Sequence, residues 1–443
     1  MAVEPSTAGG AATAAQPAIV ITPAYRRYAL AILLLAYTSS FVDRSIVGIL
    51  IEPIKNDLHL SDTQLGFMSG IAFAIFYATL GMPIAMLADR ANRRNIISIA
   101  VFVWSIMTAL CGLAQNFWQL AAARVGVGIG EAGSSPPSHS MIADLYPRDK
   151  RSGAMAIYSL GVYLGTMIGF VVGGWVAQHW GWREAFFVVG LPGVIIALLV
   201  RFTMKEPPRG HADGVAMEIQ EKGQFKRAAA YLWKTRAARH VILGVTLTSF
   251  VGYGGLVWGA AFLIRSHGMT PEQVGLFLGP ASGVVGGIGA LSGGYLADRL
   301  ARKDIRWNAW ILTIAKILAI PFIIGFYLVD DTTTAILLYL PGLALGAFYL
   351  GPSFSMIQGL APLHMRALAA AIMLFVLNII GLGFGPQLVG LLSDALTGPF
   401  GSDSLRYALL FTSLINILAA FHYFHAGKVL KEDMDAAIAA ETS

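Results

Sequence analysis

Long apolar runs, broken by short polar clusters, recur along the whole chain. They are continuous and do not alternate, which argues for helices and against a membrane β-barrel. A helix needs about 20 apolar residues to cross the ~30 Å hydrocarbon core of a bilayer. Twelve runs meet that length: 28–50, 63–88, 95–114, 118–143, 152–178, 183–203, 238–266, 271–298, 306–328, 333–361, 365–395 and 404–426. The expected fold class is an all-α membrane protein with twelve transmembrane helices. Residues 1–27, rich in Ala, Thr and Pro, are expected to form a disordered tail. They lack a basic stretch ahead of an apolar one, so no cleaved signal peptide is expected. Residues 204–237 are charged, carry Pro207-Pro208 and read as a linker. They divide the chain into a first half, 28–203, and a second half, 238–426, with 427–443 as a second tail.

Composition sharpens this picture. The chain has 443 residues, 56% hydrophobic and 13% charged, with a mean hydropathy of +0.65. Soluble domains carry about 25% charged residues. A cytosolic enzyme, a secreted disulfide scaffold and an acidic disordered chain are therefore excluded. The one cysteine, Cys111, permits no intramolecular disulfide and no cysteine-based metal site. No cofactor and no metal are expected. The net charge of +6 is a topology signal. With both ends in the cytoplasm, most of the 31 Lys and Arg residues fall on the cytoplasmic side, as the positive-inside bias requires. Lys55, Arg183, Arg265 and Arg406 are left for the outer loops. No nucleic-acid partner is expected. The expected location is the inner cell membrane, multi-pass, with the chain working as a monomer.

The two halves resemble each other. Pro137–Ile157 aligns with Pro352–Ile372 without gaps, at an offset of 215, with 11 of 21 positions identical. Leu87-Ala-Asp-Arg90 matches Leu296-Ala-Asp-Arg299 at an offset of 209. Two matches in the same order and at nearly the same offset mark a six-helix unit used twice. Parallel repeats of this kind place a substrate site at their interface, near the bilayer midplane.

Particular residues carry a family resemblance. Asp89-Arg-Ala-Asn-Arg-Arg94 and Asp298-Arg-Leu-Ala-Arg302 resemble the loop signature of the major facilitator superfamily, with Ala85 and Asn92 where glycines are usual in the first copy. Arg124-Val-Gly-Val-Gly128 resembles that superfamily's proton-linked Arg motif. The run from Gly165 through Gly169 to Gly173-Gly174 resembles its Gly-rich antiporter motif, with Phe170 where Pro is usual. Phe41-Val-Asp-Arg44, Gly128-Ile-Gly-Glu-Ala132 and Tyr146-Pro-Arg-Asp-Lys-Arg151 are similar to the spinster family of lipid transporters. The resemblance implies alternating access by two halves and a substrate of the lysophospholipid or sphingoid-phosphate type. It also implies that Asp89, Arg90, Arg93, Arg94, Asp298, Arg299 and Arg302 form a conformational switch, with each Asp capping a neighbouring helix and pairing across the seam between halves.

Charges inside a bilayer are expensive and functional by default. Five fall within the apolar runs: Asp43, Arg44, Arg124, Glu131 and Lys316. Asp43 and Arg124 lie at nearly the same depth in spans one and four, so they are expected to pair. Glu131 is two turns from Arg124 on the same face. Asp43 and Glu131 are assigned as proton acceptors, with Arg124 as the cation that holds and releases a carboxylate. Arg44, with a planar fork suited to carboxylate and phosphate, is assigned to the substrate anion beside Asp43 and Glu131. Tyr253, Trp258, Tyr349 and Phe354 are expected to line an apolar cavity for the substrate's tail. Lys316 reads as structural.

Rival readings are weaker. His139 and Asp144 have acyltransferase spacing, but i and i+5 are about 140° apart on a helix. No phosphate-binding loop precedes a helix, so the energy comes from a gradient, here of protons. The chain is therefore read as a proton-coupled carrier of an amphiphilic lipid and not as an enzyme. The alternatives are a proton-coupled organic-anion symporter and a drug:proton antiporter.

Overall fold

The computed structural model describes residues 21–212 and 224–442, and these are helical almost throughout. Among them, ten stretches are long and apolar enough to cross a membrane. The last, Arg366–Ala439, turns back on itself near Gly401 and holds two spans. A shorter pair of helices, Phe117–Glu131 and Ser135–Leu145, makes one more. Twelve spans result, as the hydrophobic pattern predicts. Spans one to six are Pro23–Leu58, Asp62–Ala88, Arg93–Cys111, 117–145, Arg148–His179 and Trp182–Thr203. Spans seven to twelve are Arg236–His267, Pro271–Ala301, Trp307–Leu328, Thr332–Leu360, 366–400 and 404–442.

The element ends follow ordinary capping chemistry. Thr22 accepts a bond from the Tyr25 N–H at 3.1 Å with Pro23 behind it, so span one starts earlier than hydropathy suggests. Residues 1–20 lie outside the described residues, as does the expected disorder there. Span twelve continues as a helix to Thr442 and does not end in a separate tail. Its Asp433 accepts from the Ala237 N–H at 2.7 Å and so caps the start of span seven. Within the linker, Gln224–Lys234 forms a helix whose Ala228 and Leu232 are buried against the second half.

The internal repeat is visible in contacts. Arg151 and Arg366 occupy matching positions, and each donates from Nε to the carbonyl that ends the preceding span, Tyr146 and Ala361, both at 3.4 Å. Spans two and eight also begin alike. Ser61 with Gln64, and Thr270 with Gln273, form two capping boxes. Span eight contains a π-helical stretch at Ala281–Val285, and span eleven another at Leu377–Phe384. Such stretches are rare and concentrate at functional sites.

Candidate functional site: a buried charge cluster, a cavity and a closed end

Spans one, three and four bring the first-half charges together. Asp43, Arg124 and Glu131 are each at most 2% exposed. Glu131 Oε2 accepts from Arg44 Nε at 2.6 Å and from the Ser40 hydroxyl at 2.8 Å, while Oε1 has no partner. The Arg44 guanidinium lies over the rings of Phe41, Phe73 and Tyr77, 4.4 to 5.1 Å from their centroids. Asp43 has Thr108, Glu131, Arg124 and Arg44 around it, yet neither of its carboxylate oxygens has a hydrogen-bond partner. Arg124 stacks over Phe73 at 5.2 Å, with Nε and one terminal nitrogen unpartnered. The expected Asp43–Arg124 ion pair is therefore not formed in this conformer. The carboxylate that is held is Glu131, and its holder is Arg44.

A cavity of about 330 Å³ lies beside this cluster, mainly in the second half. Phe41 is a shared wall, with the Arg44 guanidinium 4.9 Å from its ring and the cavity against it. Tyr253 and Tyr349 line the cavity as expected. Trp258 and Phe354 do not. Trp258 is fully buried with its indole N–H on the Pro386 carbonyl at 2.8 Å, and Phe354 packs in the second half's core. Each lies five residues after its tyrosine, so each points about 140° away around its helix. Residue type alone puts these four aromatics in one set; helical phase divides them.

The end of the bundle that carries residues 52–62 and 265–271 is closed. Arg265 of span seven donates to Glu52 at 2.5 Å and to both oxygens of Asp62, at 2.7 and 2.8 Å. Lys55 and Ser393 also donate to Asp62, each at 2.6 Å. Asp394 of span eleven accepts from the N–H groups of Asp62 and Thr63, capping span two from the other half. At the pseudo-symmetric position, His179 faces Glu272 at 3.2 Å. Between these polar contacts the helices touch backbone to backbone. A Cβ on Gly66 would come within 2.8 Å of the Pro386 carbonyl oxygen, and one on Gly275 within 2.3 Å of the Phe170 carbonyl oxygen. This ionic cluster was not recognised in the sequence, where Lys55 and Arg265 counted only as outer loop charges. The signal was present in the paired Ser61-x-x-Gln64-x-Gly66 and Thr270-x-x-Gln273-x-Gly275.

The opposite end, where span one starts and span twelve finishes, is arranged differently. Asp89 and Asp298 are exposed, and no side-chain hydrogen bond or ion pair joins either carboxylate to another described residue. Asn92, and not Asp89, caps span three, accepting from the Asn95 N–H at 3.0 Å. Arg93 is fully buried, ion-paired with Asp144 and with Glu206 at 2.7 Å, and donates to the Pro207 carbonyl at 2.8 Å. The Arg94 N–H meets Glu206 at 2.9 Å. These bonds tie the linker to the first half and do not cross the seam as expected. Arg90, Arg299 and Arg302 are exposed. Asp144 is thus committed to Arg93, and His139 stacks edge-on against Tyr158, so they form no catalytic pair.

The profile of the Major Facilitator Superfamily matches residues 33–386. An MFS-type efflux pump of Mycolicibacterium smegmatis is 35% identical over 92% of this chain and 94% of its own length. Protein spinster homolog 1 of Xenopus tropicalis is 25% identical over 92% of this chain and 82% of its own. A sphingosine-1-phosphate transporter of Danio rerio is 24% identical over 90% and 83%. Among solved structures, a bacterial homologue of the human lysosomal transporter spinster, inward-facing and unoccupied, superimposes with a TM-score of 0.86. It is 32% identical and is covered over 99% of its length by 93% of this chain.

Proposed function

The chain belongs to the Major Facilitator Superfamily as a membrane transporter of the spinster type, and on that footing we propose that it moves an anionic single-chain lipid by proton-coupled alternating access. The lipid is of the lysophospholipid or sphingoid-phosphate type. The observation that carries this reading is the pairing of a buried carboxylate cluster with an apolar cavity across one ring, Phe41. The sphingosine-1-phosphate transporter among the relatives supports the substrate class.

The positive-inside bias puts the end where span one starts and span twelve finishes in the cytoplasm. The closed end then faces outward, and this conformer is open to the cytoplasm. The protein works as a monomer in the inner membrane. A proton arriving from the cavity side has two free acceptors, Asp43 and Oε1 of Glu131. Protonating Glu131 removes the charge that holds Arg44, freeing that guanidinium to serve the substrate's anionic group. Deprotonation takes Arg44 back. Arg124 is the counter-charge nearby in the dry site that Asp43 occupies. Asp89 and Asp298 engage only when the cytoplasmic end closes.

The test is transport of a labelled lysophospholipid in proteoliposomes, with and without an imposed pH gradient. Asp43→Asn is the cleanest variant, because its carboxylate accepts no hydrogen bond that an amide would lose. Gradient-driven transport is expected to fall to background while counterflow persists. Wild-type pH dependence in both Asp43→Asn and Glu131→Gln overturns the proton assignment. The 35%-identical efflux pump favours a second reading, export of drug-like amphiphiles through the same cavity. Proton-driven movement of a cationic dye in place of the lysophospholipid would select it.

A further inference from the structure

Of the five charges that fall within the apolar runs of the sequence, Lys316 is the one outside the first-half cluster. Its position in span nine turns it onto the cavity, which it lines from within the second half. The residue is 3% exposed. An ammonium group has three N–H donors. One meets the Gly346 carbonyl at 3.2 Å, and the Tyr349 ring lies 5.4 Å away. No carboxylate lies within ion-pair reach among the described residues. Arg44 is spent on Glu131, and Arg124 shares its surroundings with Asp43. Lys316 has no such company.

Two further polar residues line the same cavity, each with a buried side-chain oxygen that has no hydrogen-bond partner. These oxygens are the Thr248 hydroxyl and the Asn416 side-chain oxygen, on residues 4% and 5% exposed. The rest of the wall is mostly apolar, with Leu278, Ile323, Phe326 and Leu338 among its residues, and Thr166, Ser249, Ser282 and Ser413 add hydroxyls. A buried cation with free donors, a hydroxyl and an acceptor at one apolar cavity have complementary needs. They suit an anionic oxygen group next to a hydroxyl or amine, on a hydrocarbon chain.

We propose that Lys316 anchors the anionic head of the transported amphiphile in this conformer, while Arg44 is committed to Glu131. The head docks on the ammonium and on the Thr248 hydroxyl. A neighbouring hydroxyl or amine of the same head donates to Asn416. The chain lies against the apolar wall. The inference rests on the lipid reading above and adds a second cationic station in the opposite half, so that the anion passes between Lys316 and Arg44 once Arg44 lets go of Glu131.

The experiment is equilibrium binding to the purified full-length protein, with two probes of equal chain length. One is oleoyl lysophosphatidic acid, and the other is uncharged monooleoylglycerol. Lys316→Met keeps the stem and removes the charge. It is expected to weaken lysophosphatidic acid by about tenfold or more, the scale of a lost charge-assisted bond, and to leave monooleoylglycerol unchanged. Lys316→Arg is expected to restore the preference, which a packing role for the stem would not do. Where Lys316→Met does not fold, Lys316→Gln serves with the same expectation. Equal loss of both probes, or no loss of either, overturns the anchor while sparing the lipid reading. Binding of neither probe by the wild type overturns both. Inorganic phosphate in excess is expected not to compete; competition would make the site one for a free anion and overturn the amphiphile.

Discussion

The two ends of the bundle use charge in opposite ways. At the closed end, Asp62, Arg265, Ser393 and Asp394 join one half to the other. At the opposite end, Arg93, Asp144 and Glu206 join the first half to its linker, while Arg236 and Asp433 join spans seven and twelve of the second half. The first set resists opening. The second set keeps each half rigid while it moves. A transporter that rocks two bodies needs both kinds, and a charge's role follows from whether its partner sits on its own body.

This contrast can be broken most strongly at Asp62. Asp62→Asn leaves Arg265 with Glu52 alone, which costs closure about 2–5 kcal/mol, the range for breaking a partly buried charge pair. The readout is maleimide labelling of Gly259→Cys, a cavity position with open space around it. Cys111 is the single native cysteine and is buried, so the background is silent. Labelling from the Asp62 side is expected to rise at least tenfold, and unchanged labelling would mean that the cluster does not gate. Gly275→Ala comes next. Its methyl would meet the Phe170 carbonyl, and propping the helices apart costs about 1–3 kcal/mol, so labelling rises with every charge intact. The smallest effect belongs to Asp89→Asn. An exposed side chain without a partner changes the stability of this conformer by less than about 0.5 kcal/mol. A thermal melt should therefore be unmoved, while transport is expected to slow if Asp89 latches the opposite conformer as proposed. A destabilised melt would place Asp89 in a contact absent from this conformer.

The fold was legible because membrane insertion writes itself in composition. Twelve runs, a charged linker and a repeat at offsets of 209 and 215 give twelve spans in two halves. The cluster of Asp43, Arg44, Arg124 and Glu131 was equally legible, since charge inside lipid is conspicuous. Its pairing was not. Depth alone joined Asp43 to Arg124, whereas the rotation of span one turns the neighbouring Arg44 onto Glu131. Trp258 and Phe354 failed for the same reason, a helical phase of five residues. Arg93 failed because its partner Glu206 lies in the linker, beyond the reach of motif spacing. Lys316 gave no signal of purpose, because what defines it is a cavity built from several spans.

The ionic cluster that holds the two halves together is not wholly dry. Lys55 is 30% exposed and Arg265 13%. The Debye length shortens from ~30 Å at 0.01 M salt to ~8 Å at 0.15 M. The glycine seam beside the cluster is uncharged backbone contact and is indifferent to that change. Closure therefore has one component that the ionic strength of the surrounding medium weakens and one that it leaves alone. In a dilute medium this end of the bundle would stay shut more of the time than in brine, with no change in sequence.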